Sequence, residues 1–387
     1  MQYEVKALTP VLVGDGDRLS PIDYMVWKDQ VNVLDQKRIF KLLSKGPRFD
    51  GYLEQLLRSE KLDFDSWGGF AQNYAGRRIP FESPGVGQII ERTRAESCHI
   101  PTFANSPTGH YLPATALKGA LRTAVLHRLW LERQEKIYTA TLEQLNSDRP
   151  PRRPAEMQEE RSLGGGGTNR LRALNIADSQ TVDASDFKVF LVRTSTLVGR
   201  SNNLLELGWK MAGSGAVDDR RRDDSAAFFC EMATPGTKFV GHAWEPAFLG
   251  SDPIRSELRW REPYTAIWQT EAANQWAESV LKLQAAYAER AKLAPLQQSV
   301  AGLLHRLDRV REQPGRCLLC IGWGGGLLGK VATGESESEN ARKIFGKLPY
   351  YARAVQSGLP FPKTRRIVFA GNRPAALPGW VEFSVTP

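Results

Sequence analysis

Apolar and polar residues alternate from residue 2 to residue 7, so that every second side chain shares one face. This period of two is typical of a strand with one buried face. Two more strand patterns cover residues 24–27 and 30–34, and Lys28-Asp29 between them predicts a tight hairpin. From residue 36 to about residue 60 the apolar spacing becomes three to four residues, which predicts helix.

The clearest helix of the first half follows Pro113. One buried stripe is predicted from apolar residues spaced four apart, namely Leu117, Leu121, Val125 and Leu129. Thr115 stands where an N-cap is expected. Lys118 and Arg122 are also four residues apart and share another face near the helix N-terminus. Two cations beside unpaired backbone donors and the positive end of the helix dipole predict an anion-binding site.

The second half repeats this succession of elements. Strand patterns occur between residues 171 and 198, and again on both sides of the turn at Thr234-Pro-Gly236. A long helical pattern covers residues 276–311 with a break at Pro295, and it leads into a strand and a glycine-rich loop. The order strand, strand, helix, strand in each half predicts an α+β protein with two ferredoxin-like or RRM-like domains.

Composition places the domain boundaries. Residues 1–150 are predicted to form the first domain, with an irregular insertion rich in Gly, Pro and Arg at about 67–106. Residues 151–170, which contain Gly164–Gly167, have the composition of a linker or loop. Residues 171–387 then form the second domain, which carries the glycine-rich loop at 322–329.

The glycine-rich loop has two competing interpretations. Gly324 to Lys330 matches G-x-x-x-x-G-K, but Val331 replaces the Ser or Thr that a nucleotide-binding P-loop needs for Mg²⁺. The apolar run at 366–370 also lacks an acidic residue. The loop is therefore predicted to bring backbone N–H groups and Lys330 close to a phosphate, and an RNA backbone fits this requirement as well as a nucleotide.

Charge and cysteine content narrow the function classes. The chain has 52 Lys and Arg against 43 Asp and Glu, a net charge of +9, which favours a polyanionic partner. No apolar run is long enough for a membrane span, and no export signal is recognised at the N-terminus, so a cytoplasmic protein is expected. Cys317-x-x-Cys320 lies in a strand-like context without a second ligand pair, so neither a metal nor a cofactor is predicted.

Several short motifs together resemble the RAMP proteins of type III CRISPR effector complexes, and most closely the family of fifth subunits of type III-A (Csm) particles. The motifs run along nearly the whole chain, at residues 8–14, 20–24, 111–123, 178–179, 231, 235–237, 321–326, 362–366 and 378–381. Tyr111 to Thr123 is similar to the segment P-G-S-S-x-K-G-x-x-R. Here Pro-Ala-Thr-Ala replaces P-G-S-S, which weakens any backbone contact at 114–116 but leaves Lys118 and Arg122.

The resemblance implies a non-catalytic RNA-binding subunit that caps the 3′-end region of the CRISPR RNA and supports its maturation and the assembly of the particle. Its neighbours would be a backbone RAMP subunit and the small helical subunit, with target RNA as an indirect partner and no contact with a membrane. The insertion at 67–106 would correspond to a thumb that separates bases. The predicted RNA-binding residues are Lys118, Arg122, Gly322, Gly324, Gly325, Gly326, Lys330, Arg365 and Arg366.

Two other functions remain open at the level of the sequence. The first is a target-RNA endoribonuclease that uses Asp23, which follows the first strand as a catalytic aspartate does in backbone RAMP subunits. Against it, a loop aspartate most often caps a turn. The second is a phosphate-binding metabolic enzyme built around the glycine-rich loop.

Overall fold

The computed structural model describes residues 1–27, 29–58, 61–62, 73–199, 205–213, 215–260, 270–332 and 338–386, and strands and helices are interspersed along these ranges. The strands are β1 Gln2–Ala7, β2 Arg18–Leu19, β3 Tyr24–Trp27, β4 Gln30–Leu34, β5 Ala75–Pro80, β6 Ile100–Pro101, β7 Asn105–Ser106, β8 Gly109–His110, β9 Asn175–Ile176, β10 Phe187–Gly199, β11 Leu205–Lys210, β12 Ala216–Asp218, β13 Phe228–Ala233, β14 Lys238–Trp244, β15 Arg316–Cys320, β16 Thr364–Ala370, β17 Arg373–Ala376 and β18 Trp380–Thr386. The helices are α1 Gln36–Leu43, α2 Phe49–Arg58, α3 Pro84–Arg92, α4 Ala114–Leu131, α5 Gln134–Leu145, α6 Pro154–Leu163, α7 Asp252–Glu257, α8 Thr270–Arg290, α9 Ala294–Arg311, α10 Glu339–Lys347 and α11 Pro349–Gln356.

The first sheet is antiparallel and has the strand order β15-β18-β1-β14-β9. Strand β1 lies at its centre, where Val5 is opposite Phe239 of β14 on one side and Phe383 of β18 on the other. With α4 after β1 and α8 after β14, the order β18-β1-β14-β9 is that of a ferredoxin-like βαββαβ unit, and β15 adds an edge strand. The predicted α+β class is confirmed.

The second sheet has the order β12-β11-β10-β16-β17, and β13 also pairs with β10. Its strands come from two stretches of sequence that interrupt the first sheet, one between β9 and β14 and one between β15 and β18. The 13-residue strand β10 is long enough to pair with β13, β16 and β11 in succession. The two sheets are therefore nested in the sequence, and a boundary at residues 150–171 does not separate them.

The segment predicted as a linker is largely helical. Residues 154–163 form α6, which starts with Pro154 in its first turn and buries Leu163 completely. Of the insertion predicted at 67–106, residues 67–72 lie outside the described residues. The remainder is more regular than its composition indicated, because β5 pairs with β4 and α3 follows it.

The predicted hairpin between β3 and β4 is present. Trp27 is opposite Gln30, and Asp29 adopts the left-handed backbone conformation with φ of 58° that such a turn requires. Lys28, the other predicted turn residue, lies outside the described residues. This hairpin and β5 form a separate three-stranded sheet.

One hydrophobic core joins both sheets. Its centre contains three fully buried aromatic residues, Phe103, Phe187 and Phe239, with ring centroids 4.9–6.5 Å apart. The hairpin of α8 and α9 packs on it, and Glu382 of β18 accepts a hydrogen bond of 2.6 Å from Arg306 of α9. Within the described ranges, no helix combines the length and apolar character that a bilayer crossing requires.

The nested arrangement predicts that the two halves of the sequence do not fold separately. We expect fragments 1–150 and 171–387, each expressed alone, to lack a cooperative thermal transition by circular dichroism, because β1 pairs with β14 and β18 across the cut. Mixing or co-expressing the fragments should restore the transition. Cooperative unfolding of either fragment alone would contradict the nested architecture.

Candidate RNA-binding surface

The glycine-rich loop starts directly after β15 and packs against two distant segments of the chain. The Trp323 N–H donates to the carbonyl oxygen of Leu12 and the Ile321 N–H to that of Gly379, both at 2.8 Å. A Cβ at Gly322 would overlap the Leu12 carbonyl, and one at Gly324 would overlap the Pro378 ring. These two glycines are thus needed for close packing inside the protein.

The outer part of the loop has unused hydrogen-bond donors. The backbone N–H groups of Gly324, Gly325 and Gly326 make no hydrogen bond to any part of the chain that the structure describes. Gly326 is exposed, has φ of 63°, and has no atom within 4 Å of where a Cβ would be. Consecutive N–H groups of this kind can bind an anion.

A stacked cation lies beside this loop. The guanidinium carbon of Arg366 on β16 is 4.3 Å from the ring centroid of Trp323. Burial lowers the pKa of Arg366 from its ordinary value, although an arginine remains charged near neutral pH. Within the described residues its guanidinium donates no hydrogen bond, so its donors are available to a ligand.

The structure brings Arg122 and Lys330 together although they are far apart in sequence. Both line an open cavity of about 190 Å³ between α4, α5, α6 and α10. The Arg122 side chain is 47% exposed and forms a 3.2 Å ion pair with Glu159 of α6. Lys330 is exposed at the end of the glycine-rich loop. Two of the predicted phosphate-binding cations therefore lie at the solvent-exposed mouth of the same cavity.

Lys118 and Arg365 are engaged within the protein. The Lys118 ammonium donates to the Leu174 carbonyl at 2.7 Å, and burial lowers its pKa. Arg365 is 8% exposed, and its guanidinium donates to the carbonyl oxygens of Pro362 and Thr364 and lies over the Tyr287 ring. Because successive residues of a strand face opposite sides, Arg366 faces the loop while Arg365 faces the core. This burial argues against the RNA contact predicted for Arg365.

The start of α4 also differs from the prediction. Pro113, not Thr115, is the N-cap, and the Ala114 N–H donates to the Asp178 carboxylate at 2.7 Å. A carboxylate of the protein therefore occupies the position at which an anion was predicted to bind. The Asp-Ser pair at 178–179 holds this turn, since the Leu112 N–H also donates to the Ser179 hydroxyl at 2.8 Å.

The Asp23 carboxylate stabilises a turn of the protein. Its carboxylate accepts hydrogen bonds from the Ser20 N–H at 2.7 Å and from the Ser20 hydroxyl at 2.5 Å, as in a capped turn. Within the described part of the chain, no three His, Cys, Asp or Glu residues lie close enough to hold a metal ion. Cys317 and Cys320 are buried in β15, and burial raises the pKa of the Cys320 thiol to about 12.

A buried ionic cluster was not anticipated from the sequence. Glu231 of β13 is fully buried and ion-paired to Arg77, with His110 at 3.3 Å and the Phe103 N–H donating at 3.1 Å. Desolvation and the adjacent Arg77 lower the pKa of His110 to about 4, so the imidazole is neutral at pH 7. The cluster joins β5 and β8 to the second sheet. A glutamate within the apolar run Phe228–Met232 was the only local signal for it.

Comparison with known proteins places the chain in a family. A model of the RAMP superfamily matches residues 4–328. The chain belongs to the RAMP superfamily. A curated protein from Methanocaldococcus jannaschii, described as CRISPR system Cms protein Csm5, is 24% identical to this RAMP protein over 135 residues, which are 33% of this chain and 30% of that relative.

Solved structures share the fold of this RAMP protein over its full length. A chain of a Csm-crRNA-target RNA ternary complex of a type III-A CRISPR-Cas system superposes with a TM-score of 0.68 at 19% identity and covers 99% of this chain and 100% of its own. The crystal structure of T. onnurineus Csm5 gives a TM-score of 0.59 at 18% identity, with coverage of 98% and 99%.

The packing of the loop predicts different costs at two glycines with similar backbone conformation. Gly322 and Gly326 have φ of 71° and 63°, so an alanine at either site adds about 1–2 kcal/mol of backbone strain. Only Gly322→Ala also overlaps Leu12, which adds about 1–3 kcal/mol. We therefore expect Gly322→Ala to lower the free energy of unfolding more than Gly326→Ala, as measured by urea denaturation. Equal losses would show that the loop does not pack on Leu12.

Proposed function

We propose that this RAMP protein is a non-catalytic, cytoplasmic RNA-binding subunit of a type III-A CRISPR effector particle, and that it holds the 3′-end region of the CRISPR RNA. Family membership and the full-length fold match to a chain of a Csm-crRNA-target RNA complex support this function. The observation that carries it is that Arg122 and Lys330 line one cavity, and that Lys330 ends the loop in which the N–H groups of Gly324 to Gly326 are unused.

The chemistry of this surface suits an RNA whose sequence varies. Cations and backbone donors bind phosphate oxygens whatever the base, so they provide affinity without selecting a sequence. The stacked pair of Arg366 and Trp323 adds a planar surface on which any base can lie. Lys118 acts indirectly in this proposal, because its ammonium donates to the Leu174 carbonyl and so holds that segment against α4.

The remaining proposed roles follow from a position at the 3′-end region of the CRISPR RNA. The protein would pack on a backbone RAMP subunit and on the small helical subunit, and would meet target RNA only through the guide. By covering the 3′-end region it would support maturation of the CRISPR RNA and assembly of the particle. The insertion at about 67–106 is proposed as the thumb that separates neighbouring bases.

Removing the two cations at the cavity mouth should weaken RNA binding in a salt-dependent way. For Arg122→Ala with Lys330→Ala, we expect a lower affinity for single-stranded RNA and a decrease of about 1.4 in the slope of log K against log salt, at about 0.7 per phosphate contact. Fluorescence anisotropy at several salt concentrations measures both quantities.

A charge-matched control is Arg58→Ala with Lys238→Ala. These cations belong to exposed ion pairs with Glu54 and Glu4 and do not line the cavity. The control should leave the salt slope unchanged. A decrease in the slope equal to that of the Arg122 and Lys330 variant would mean that binding is diffuse and that the proposed surface is wrong.

Asp23→Ala tests the absence of catalysis. We expect target RNA to be cut at the same positions, because the Asp23 carboxylate caps a turn through two hydrogen bonds from Ser20. Cleavage of labelled target RNA by the assembled particle is the measurement, and Asp23→Asn, which retains an acceptor for the turn, separates folding from chemistry. Loss of one cut in both variants would establish the endoribonuclease alternative.

A further inference from the structure

The cavity that Arg122 and Lys330 line has a size and an apolar wall that the proposed phosphate contacts of these two residues do not explain. Its volume of about 190 Å³ exceeds the roughly 150 Å³ that admits one benzene ring, and it is smaller than the about 300–1,000 Å³ of pockets for larger organic ligands. Three aromatic side chains, Trp130, Tyr138 and Phe345, contribute to its wall. The cavity is therefore suited to one flat ring system.

The polar groups of the wall fit a nitrogen heterocycle. The hydroxyl groups of Thr123 and Thr141 donate to the carbonyl oxygens of Gly119 and Ile137, at 3.1 Å and 2.7 Å, and keep lone pairs that can accept. All four RNA bases carry N–H donors, so hydroxyl acceptors satisfy each of them. The Trp130 N–H is bonded to the Ser162 hydroxyl at 3.0 Å, which leaves the indole as an apolar wall.

The charges at the mouth indicate what the ring is attached to. Arg122 and Lys330 bring two positive charges and Glu159 one negative charge, so the mouth retains one net positive charge. The Glu159 carboxylate also orients the Arg122 guanidinium. A ring linked to a phosphate satisfies both the apolar interior and the net positive charge at the mouth, whereas an apolar side chain of a neighbouring subunit leaves that charge unbalanced.

We propose that the cavity receives the base of the last nucleotide of the bound RNA, while the adjoining phosphate lies between Arg122 and Lys330. A terminal base stacks on only one neighbour, so moving it out of the RNA costs less than moving an internal base. This inference rests on the proposed RNA-binding function and adds to it a means of recognising an RNA end independently of its sequence.

The test compares RNAs that differ only in the presence of one base. Fluorescence anisotropy of the full chain is measured with a 5′-labelled single-stranded RNA whose 3′-terminal nucleotide is normal or abasic. We expect the abasic end to weaken binding roughly 5- to 100-fold, and an abasic residue at the 5′ end to weaken it less than about twofold. Equal effects at both ends, or no effect at the 3′ end, would overturn the proposal.

Filling the cavity should remove this discrimination. Ala155→Trp enters the cavity from α6, and Ile344→Trp enters from α10 if the first variant does not fold. Either variant should bind both RNAs as weakly as the wild type binds the abasic one. Ala301→Trp places the same side chain on an exposed position of α9 and should retain the discrimination. Discrimination that persists in both cavity variants would place the base elsewhere and refute the inference.

Other outcomes separate this inference from the proposed function. RNA binding with the expected salt slope but without end discrimination refutes the cavity assignment alone, while absence of RNA binding refutes both. Saturable binding of AMP that Ala155→Trp abolishes, with normal and abasic RNA bound equally, would assign the cavity to a free mononucleotide. If the cavity variants no longer enter the effector particle but still discriminate between normal and abasic RNA, the cavity would instead hold a side chain of a neighbouring subunit.

Discussion

The pairing of β1 with β14 on one side and β18 on the other is the constraint on which the rest of the structure depends. It brings residues near the start, middle and end of the chain into one sheet, with Val5 between Phe239 and Phe383. The segment after β1 then lies where the glycine-rich loop packs, since Leu12 accepts from the Trp323 N–H. The loop, and the cation that follows it, are therefore positioned by the first strand.

Local patterns identified the elements but not their partners. The stripe of α4 was recognisable because a period of about 3.6 residues places Leu117, Leu121 and Val125 on one buried face. Strand partners depend on contacts between residues hundreds of positions apart, which alternation does not encode, so the nesting of the two sheets could not be read from the sequence. The helix at 154–163 was missed because Pro, Arg and Gly around it are typical of loops.

For the candidate site, too, the sequence identified the residues but not the residues they contact. Its residue types and their order were recognisable, whereas the cavity that Arg122 and Lys330 both line was not. Which of two adjacent arginines faces the core was not predictable, because alternation separates Arg365 from Arg366 without saying which side is buried. The role of the loop glycines also depends on Leu12 and Pro378, which lie far from the glycine-rich loop in the sequence. The cavity itself is formed by four helices and one loop, so it has no sequence signature.

The nested sheets have a consequence for the order of events during synthesis. Strand β1 is made first, yet one of its two edges has no partner until β18 at residues 380–386 has left the ribosome. Until then the ferredoxin-like unit exposes the backbone donors and acceptors of a central strand, which promote pairing with other chains. Contacts between such distant segments also slow folding. The interval before the last strand emerges is therefore the period in which this protein is most exposed to misassembly.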